Sequence, residues 1–169
     1  MNLFLWGALP YIAFTFLIVG TLVRFFYFER NWTTKSSEFL EKKQLRIANP
    51  LFHFGLLCVI GGHVVGVLIP KTWTAAIGIN DHMYHQGALY MGAVAGLIFI
   101  VGFLLLMKRR FTVAELKVNT SRLDKWLYLF LTLAIFSGMA GTLLNASGFF
   151  DYRVSIGPWF RSLLAFMPD

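Results

Sequence analysis

The stretch Asn49–Pro70, NPLFHFGLLCVIGGHVVGVLIP, decides the fold. No formal charge lies between its two prolines, and its length matches the ~20 residues that cross a ~30 Å hydrocarbon core. Asn49 suits an N-cap, Pro50 suits a first helical position where the missing N–H costs nothing, and Pro70 marks the stop. The stretch therefore predicts a transmembrane helix over residues 50–70 that carries His53 and His63. At ~1.5 Å rise per residue, those rings stand ~15 Å apart along the axis, and at ~100° per residue they point ~80° apart. They cannot share one metal ion, but each can serve its own site against a neighbouring helix. Imidazoles are expensive in lipid and tend to mark function. Gly55, Gly61, Gly62 and Gly66 surround them, and Gly62 with Gly66 makes a small-xxx-small step that admits a close helix or a flat macrocycle. Two readings stand side by side here: axial ligands of two haems stacked through the membrane, or two histidines hydrogen-bonded into a helical bundle.

Composition sets the frame. The chain is 57% hydrophobic and 14% charged, against a usual ~25% charge in soluble domains. That identifies an all-α integral membrane protein of one domain, residues 1–169. Cys58 is the single cysteine, which excludes an internal disulfide or thiolate cluster and leaves it a packing role. The first apolar run has no basic n-region before it, so it reads as a span and not as a cleavable signal. The net charge of +7 does not indicate nucleic acid, because the basic residues are segregated. Arg24, Arg30, Lys35, Lys42, Lys43 and Arg46 follow the first span, and Lys108, Arg109, Arg110, Lys117, Arg122 and Lys125 follow the third. By the positive-inside rule, loops 29–49 and 108–122 are cytoplasmic and the N-terminus is outside.

Working outward, the sequence predicts four spans, at about 3–28, 50–70, 82–107 and 123–145, and an interfacial tail over 146–169. Pro10 lies early enough in the first span to be absorbed as a kink. Loop 29–48 reads as an amphipathic surface segment, with Ser36 or Ser37 as a cap and Glu38 and Glu41 in its early turns. Lys71–Asp81 is a short outer connection. Gly87, Ala88, Gly92, Ala95 and Gly96 give the third span a close-packing face, as do Gly138 and Gly141 in the fourth. Asp81, His82 and His85 are read as interfacial groups in preference to a metal site, with one histidine suited to passing protons near an outer substrate. PWFRSLLAF suits a short helix in the outer interface.

The order of LFHFG at Leu51–Gly55, GGH at Gly61–His63 and LLLMKRR at Leu104–Arg110 resembles the gamma subunit of membrane-bound respiratory nitrate reductase, a dihaem cytochrome b. The basic loop before His53 and the WFRSL stretch near the end extend the likeness over essentially the whole chain. The resemblance implies five helices holding two b haems, with His53 an axial ligand of the proximal haem iron and His63 of the distal one. With a haem at the inner level, Arg109 or Arg110 would suit a propionate, as guanidinium geometry fits a carboxylate, whereas the plainer reading of Lys108, Arg109 and Arg110 is a stop-transfer anchor. Gly62, His63, His82 and His85 would surround the outer quinol, although this region reads DHMYHQ where some members carry a lysine. Electrons from quinol would pass from outer to inner haem and on to an iron–sulfur beta subunit, beside a molybdenum-containing alpha subunit that reduces nitrate. The family's fifth helix, with the second axial histidines, has no counterpart in these residues. The alternatives are a haem-free anchor or fragment, and a cytochrome b of a heterodisulfide- or sulfite-linked complex. A transporter fits poorly, because the spans lack buried carboxylates and broken-helix pairs.

Overall fold

The computed structural model describes residues 3–27, 38–149 and 151–167, and among them every regular element is helical. Four helices are long and apolar enough to cross a membrane: Phe4–Tyr27, Lys43–Leu68, Asp81–Thr112 and Arg122–Ala146. Their large apolar residues turn outward, as with Phe16 at 76%, Leu57 at 67% and Phe136 at 76% exposed. In lipid such faces are satisfied by acyl chains, and helices keep their backbone polar groups paired internally. Cys58, expected to pack, is exposed on the same kind of surface.

The chain divides into two compact units, residues Met1–Ser36 with Arg161–Asp169, and residues Ser37–Phe160. In the first, a π-helical turn over Phe4–Ala8 leads into α1, Leu9–Tyr27. Pro10 would drive its ring into the Trp6 carbonyl in a regular helix, and the wider turn before it gives the needed clearance. The Tyr11 hydroxyl donates to the Leu163 carbonyl at 2.8 Å, and its ring lies parallel to Phe166 at 5.8 Å.

In the second unit, α2 (Lys43–His63) continues as a π-helical turn, Val64–Leu68. Then follow α3 (Lys71–Ala76), α4 (Asp81–Thr112), α5 (Ala114–Val118), α6 (Arg122–Ala146) and α7 (Ile156–Leu164), whose last turn belongs to the first unit. The expected start at residue 50 is too late. Glu41 Oε1 accepts the Gln44 N–H at 2.8 Å, so a side chain beyond Pro50 satisfies the first turn and Asn49 is interior. The same shift turns the second half of the expected surface segment into the opening turns of the histidine helix. Ser36 and Ser37, its expected caps, lie outside the described residues.

α2 and α4 run antiparallel, since Gly55 meets Phe99 while Gly102 meets Leu51 and Phe52. A Cβ on Gly55 would stand 2.5 Å from the Phe99 nitrogen, so only a hydrogen fits between the backbones. Phe52 packs on Phe99 at 5.1 Å, and buried Phe103 reaches Tyr128 of α6 at 6.3 Å. α4 thus touches α2 on one side and α6 on the other, where a Cβ on Gly96 would lie 3.7 Å from Met139 Sδ. Gly92, Gly138 and Gly141 face open space, contrary to the close helix contacts expected of them, and Gly61 and Gly62 meet no helix either. Small size permits a close approach, but which glycine meets a helix depends on azimuth: Gly55 and Gly102 meet the neighbouring backbone closely and Gly96 is in ordinary contact. α6 starts at a capping box, in which the Ser121 hydroxyl accepts the Asp124 N–H at 3.1 Å and Asp124 Oδ2 accepts the Ser121 N–H at 2.9 Å.

Candidate functional site

Both histidines of α2 present one ring nitrogen to their own helix and one outward. His53 Nδ1 lies 2.9 Å from the Asn49 carbonyl, and His63 Nδ1 lies 2.7 Å from the Val59 carbonyl. A carbonyl oxygen only accepts, so each Nδ1 carries the proton and each Nε2 keeps its lone pair. Both side chains are exposed, which leaves those lone pairs open. A backbone carbonyl that fixes tautomer and ring orientation is the usual outer partner of a metal-ligating imidazole. Phe52 steadies the His53 ring edge to face at 5.2 Å. Beside His63, a Cβ on Gly61 or Gly62 would meet nothing within 4 Å, so a flat ring can lie against this backbone. The residues fit one axial nitrogen at each of two levels. Among the described residues there is no cluster of three or more histidines, cysteines or carboxylates.

At the lower level two arginines already have protein partners. Arg109 is 3% exposed within α4; its Nε donates to Glu41 Oε2 at 2.7 Å and its Nη2 to the Glu41 carbonyl at 2.6 Å. The Gln44 N–H, with Arg109 beside it, holds the Glu41 carboxyl below its ordinary range despite the cost of burial. Arg110 Nη2 donates to Asp124 Oδ2 at 2.7 Å, while its buried Nε has no hydrogen-bond partner. Neither Glu41 nor Asp124 stood out as a site residue in the sequence. The only cue was a carboxylate near each end of the basic loops.

The upper level gathers α3, the start of α4 and residues 151–153. Lys71 pairs with Asp151 at 3.1 Å and Asp81 at 3.5 Å. Burial pushes the Asp151 carboxyl up, but Lys71 and the Arg153 N–H outweigh it and hold the group below its ordinary range. Arg153, 6% exposed, donates from Nη2 to Thr74 Oγ1 at 3.0 Å and lies 3.7 Å over the Tyr84 ring. Burial chiefly drives the Tyr152 phenol far above its ordinary range. His85 is half-buried in this cleft, whereas His82 is exposed, so the structure separates two residues that the spacing had grouped. Arg153 and Tyr152 were passed over because the tail read as interfacial.

Residues 2–169 match the family described as nitrate reductase gamma subunit. The nitrate reductase gamma chain of Bacillus subtilis is 45% identical over 166 residues, which is 98% of this chain and 74% of that one. The nitrate reductase-like protein NarX of Mycobacterium tuberculosis is 39% identical over 96% of this chain and 26% of its own length. The respiratory nitrate reductase 1 gamma chain of Escherichia coli is 30% identical over 73% of this chain and 55% of its own. With four apolar helices, and a match to that family from residue 2 to residue 169, this chain belongs to the nitrate reductase gamma subunit family.

Proposed function

We propose that the protein is the membrane cytochrome b subunit of a nitrate reductase, holding haem iron through His53 and His63 and serving quinol at its outer level. The observation that carries this is the pair of exposed imidazoles whose Nδ1 atoms are each fixed by the carbonyl four residues earlier. When bound, two b haems supply one-electron stations for quinol electrons crossing the membrane toward an iron–sulfur beta subunit and a molybdenum-containing alpha subunit. His53 would hold the proximal group and His63 the distal one, about 15 Å apart along α2. Gly62, His63, His82 and His85 would meet quinol, with His85 best placed to pass its proton outward, because it lines the polar cleft with Asp81. Arg109 is already held by Glu41; Arg110, with its buried Nε unpartnered, is the better candidate for a propionate.

In this reading the N-terminus is outside and loops 29–49 and 108–122 face the cytoplasm, by the distribution of lysine and arginine. Inward movement of each electron then works against the membrane potential, at ~2.3 kcal/mol per 100 mV. The deciding experiment is haem quantification and dithionite-difference spectroscopy of membranes holding the assembled complex. His53→Ala and His63→Ala should each remove one haem and leave the other. Full haem in both variants refutes the assignment, and a wild type without any b-type spectrum reduces the chain to an anchor. A reporter fused after Met107 should report a cytoplasmic location; an external location overturns the topology.

A further inference from the structure

The residues immediately after His63 do not continue as regular α-helix. Val64–Leu68 form a π-helical turn, which carries one residue more per loop than an α-turn and is frequent at functional sites. Gly66, buried at its centre, faces the Tyr152 ring: a Cβ there would lie 3.0 Å from Cε2 and 3.2 Å from the hydroxyl oxygen. Tyr152 lines one polar cleft together with Tyr84. Tyr84 is covered by the Arg153 guanidinium at 3.7 Å, and Arg153 is tied to Thr74 at 3.0 Å and approaches Asp81 at 3.6 Å. Its backbone N–H donates to Asp151 at 2.9 Å, and Asp151 pairs with Lys71 at 3.1 Å. An unbroken series of contacts therefore runs from the backbone one turn beyond His63 to α3 and α4.

We propose that Tyr152, backed by Tyr84 and Arg153, is a positioning residue that keeps the π-turn open and so sets the direction in which His63 presents Nε2. If the turn closed to α-geometry, His63 would rotate relative to Pro70 by roughly one residue's share of a turn, about 100°. That would carry the ring out of line with anything it ligates. The inference rests on the haem reading of His63 and adds to it a residue far away in sequence that governs the ligand.

The test is a potentiometric titration of membranes containing the assembled complex, followed by visible absorbance, with low-temperature electron paramagnetic resonance of the oxidised haems. Tyr152→Leu removes the ring from Gly66 and should change the oxidised-to-reduced ratio of the distal haem at least tenfold at fixed potential, a shift of about 59 mV for one electron. Its largest g value should move as well, while the proximal haem keeps both properties. Tyr152→Phe, which retains the ring, should keep most of the wild-type potential and g value. Distal potential and g value unchanged in Tyr152→Leu overturn the proposal. If Tyr152→Leu does not assemble, Gly66→Ala decides by the same readouts, since its methyl presses on the phenol at 3.0 Å. His63→Ala separates the two ideas. Retention of both haems in that variant refutes the ligand assignment itself, whereas loss of one haem there with an unmoved Tyr152→Leu refutes only the clamp.

Discussion

Gly55→Ala puts a single methyl where α2 and α4 meet. At that position a Cβ would lie 2.5 Å from the Phe99 nitrogen, 2.6 Å from its Cα and 2.9 Å from its Cβ. Two of these three neighbours are backbone atoms that no rotamer change can move. Ordinary contact begins near 3.4 Å, so the helices must open from 2.5 to 3.4 Å, about 0.9 Å. Overpacking of this kind costs ~1–3 kcal/mol. A gap of 0.5–1 Å also forfeits a quarter to a half of each dispersion contact along the seam. Against this stands the better helix propensity of alanine, worth ~0.8–1 kcal/mol over glycine. The clash therefore offsets or outweighs the propensity gain. Gly61→Ala meets nothing within 4 Å and isolates the propensity effect on the same helix.

The assay is equilibrium unfolding of purified protein in mixed micelles titrated with sodium dodecyl sulfate, read by circular dichroism. The difference between Gly55→Ala and Gly61→Ala should be ~1–3 kcal/mol, the clash alone. Gly102→Ala should behave like Gly55→Ala, because its methyl would meet the Phe52 and Leu51 backbone. The double variant should lose less than the sum, since one opening makes room for both methyls. Equal stability of Gly55→Ala and Gly61→Ala, within ~0.5 kcal/mol, would refute the interlocked seam.

Other expectations concern the polar fastenings. Arg109→Met leaves the Glu41 carboxylate without its guanidinium and should destabilise the protein more than Lys42→Met, whose pair with Glu38 is 73% and 53% exposed; equal midpoints in the detergent titration would contradict the buried bond. The Asp151 carboxyl is held below its ordinary value of 3.8, so its stabilising effect is complete above about pH 4 and is lost as pH falls through the folded value. The thermal midpoint should accordingly fall more steeply below pH 4 in wild type than in Asp151→Asn, and parallel curves would remove that contribution. Tyr11→Phe deletes the bond to the Leu163 carbonyl and should cost ~0.5–1.5 kcal/mol, seen as faster proteolysis near residues 161–167; unchanged cleavage there would show that the hydroxyl holds nothing.

The spans were legible in the sequence because lipid imposes one requirement on ~20 consecutive residues, and α6 falls within a residue of its expected limits. The beginning of α2 was not, because Asn49-Pro50 has the chemistry of a helix start while Glu41 supplies the start that the fold uses. Local pattern gave one answer and a neighbouring side chain another. Glycine positions were legible as a class, but Gly55 and Gly102 differ from Gly61 and Gly92 only in azimuth and height. Both histidines could be picked out by their cost in lipid. Their carbonyl partners follow from helical spacing alone, since the residue four before any helical histidine is on its face. The Arg109–Glu41 bond crosses 68 positions and the Arg153–Thr74 bond crosses 79, separations at which a single sequence carries no pairing signal.

These long-range bonds lie at the two ends of one helix pair, and this arrangement answers a problem specific to α2. A helix that turns two imidazoles outward cannot use those faces for packing, and in lipid the hydrophobic effect gives no pull between helices. Holding α2 still then falls to whatever surface remains. Toward its start that surface is the glycine seam against α4, together with Glu41, which anchors the first turn to buried Arg109. Toward its end the seam gives out, because Gly61 and Gly62 meet nothing, and the π-turn takes its support from Tyr152 instead. His53 is therefore positioned by backbone contact two residues away, and His63 by a side-chain relay one turn away. Substitutions at the seam should disturb the first site through helix separation, and substitutions in the relay should disturb the second through rotation.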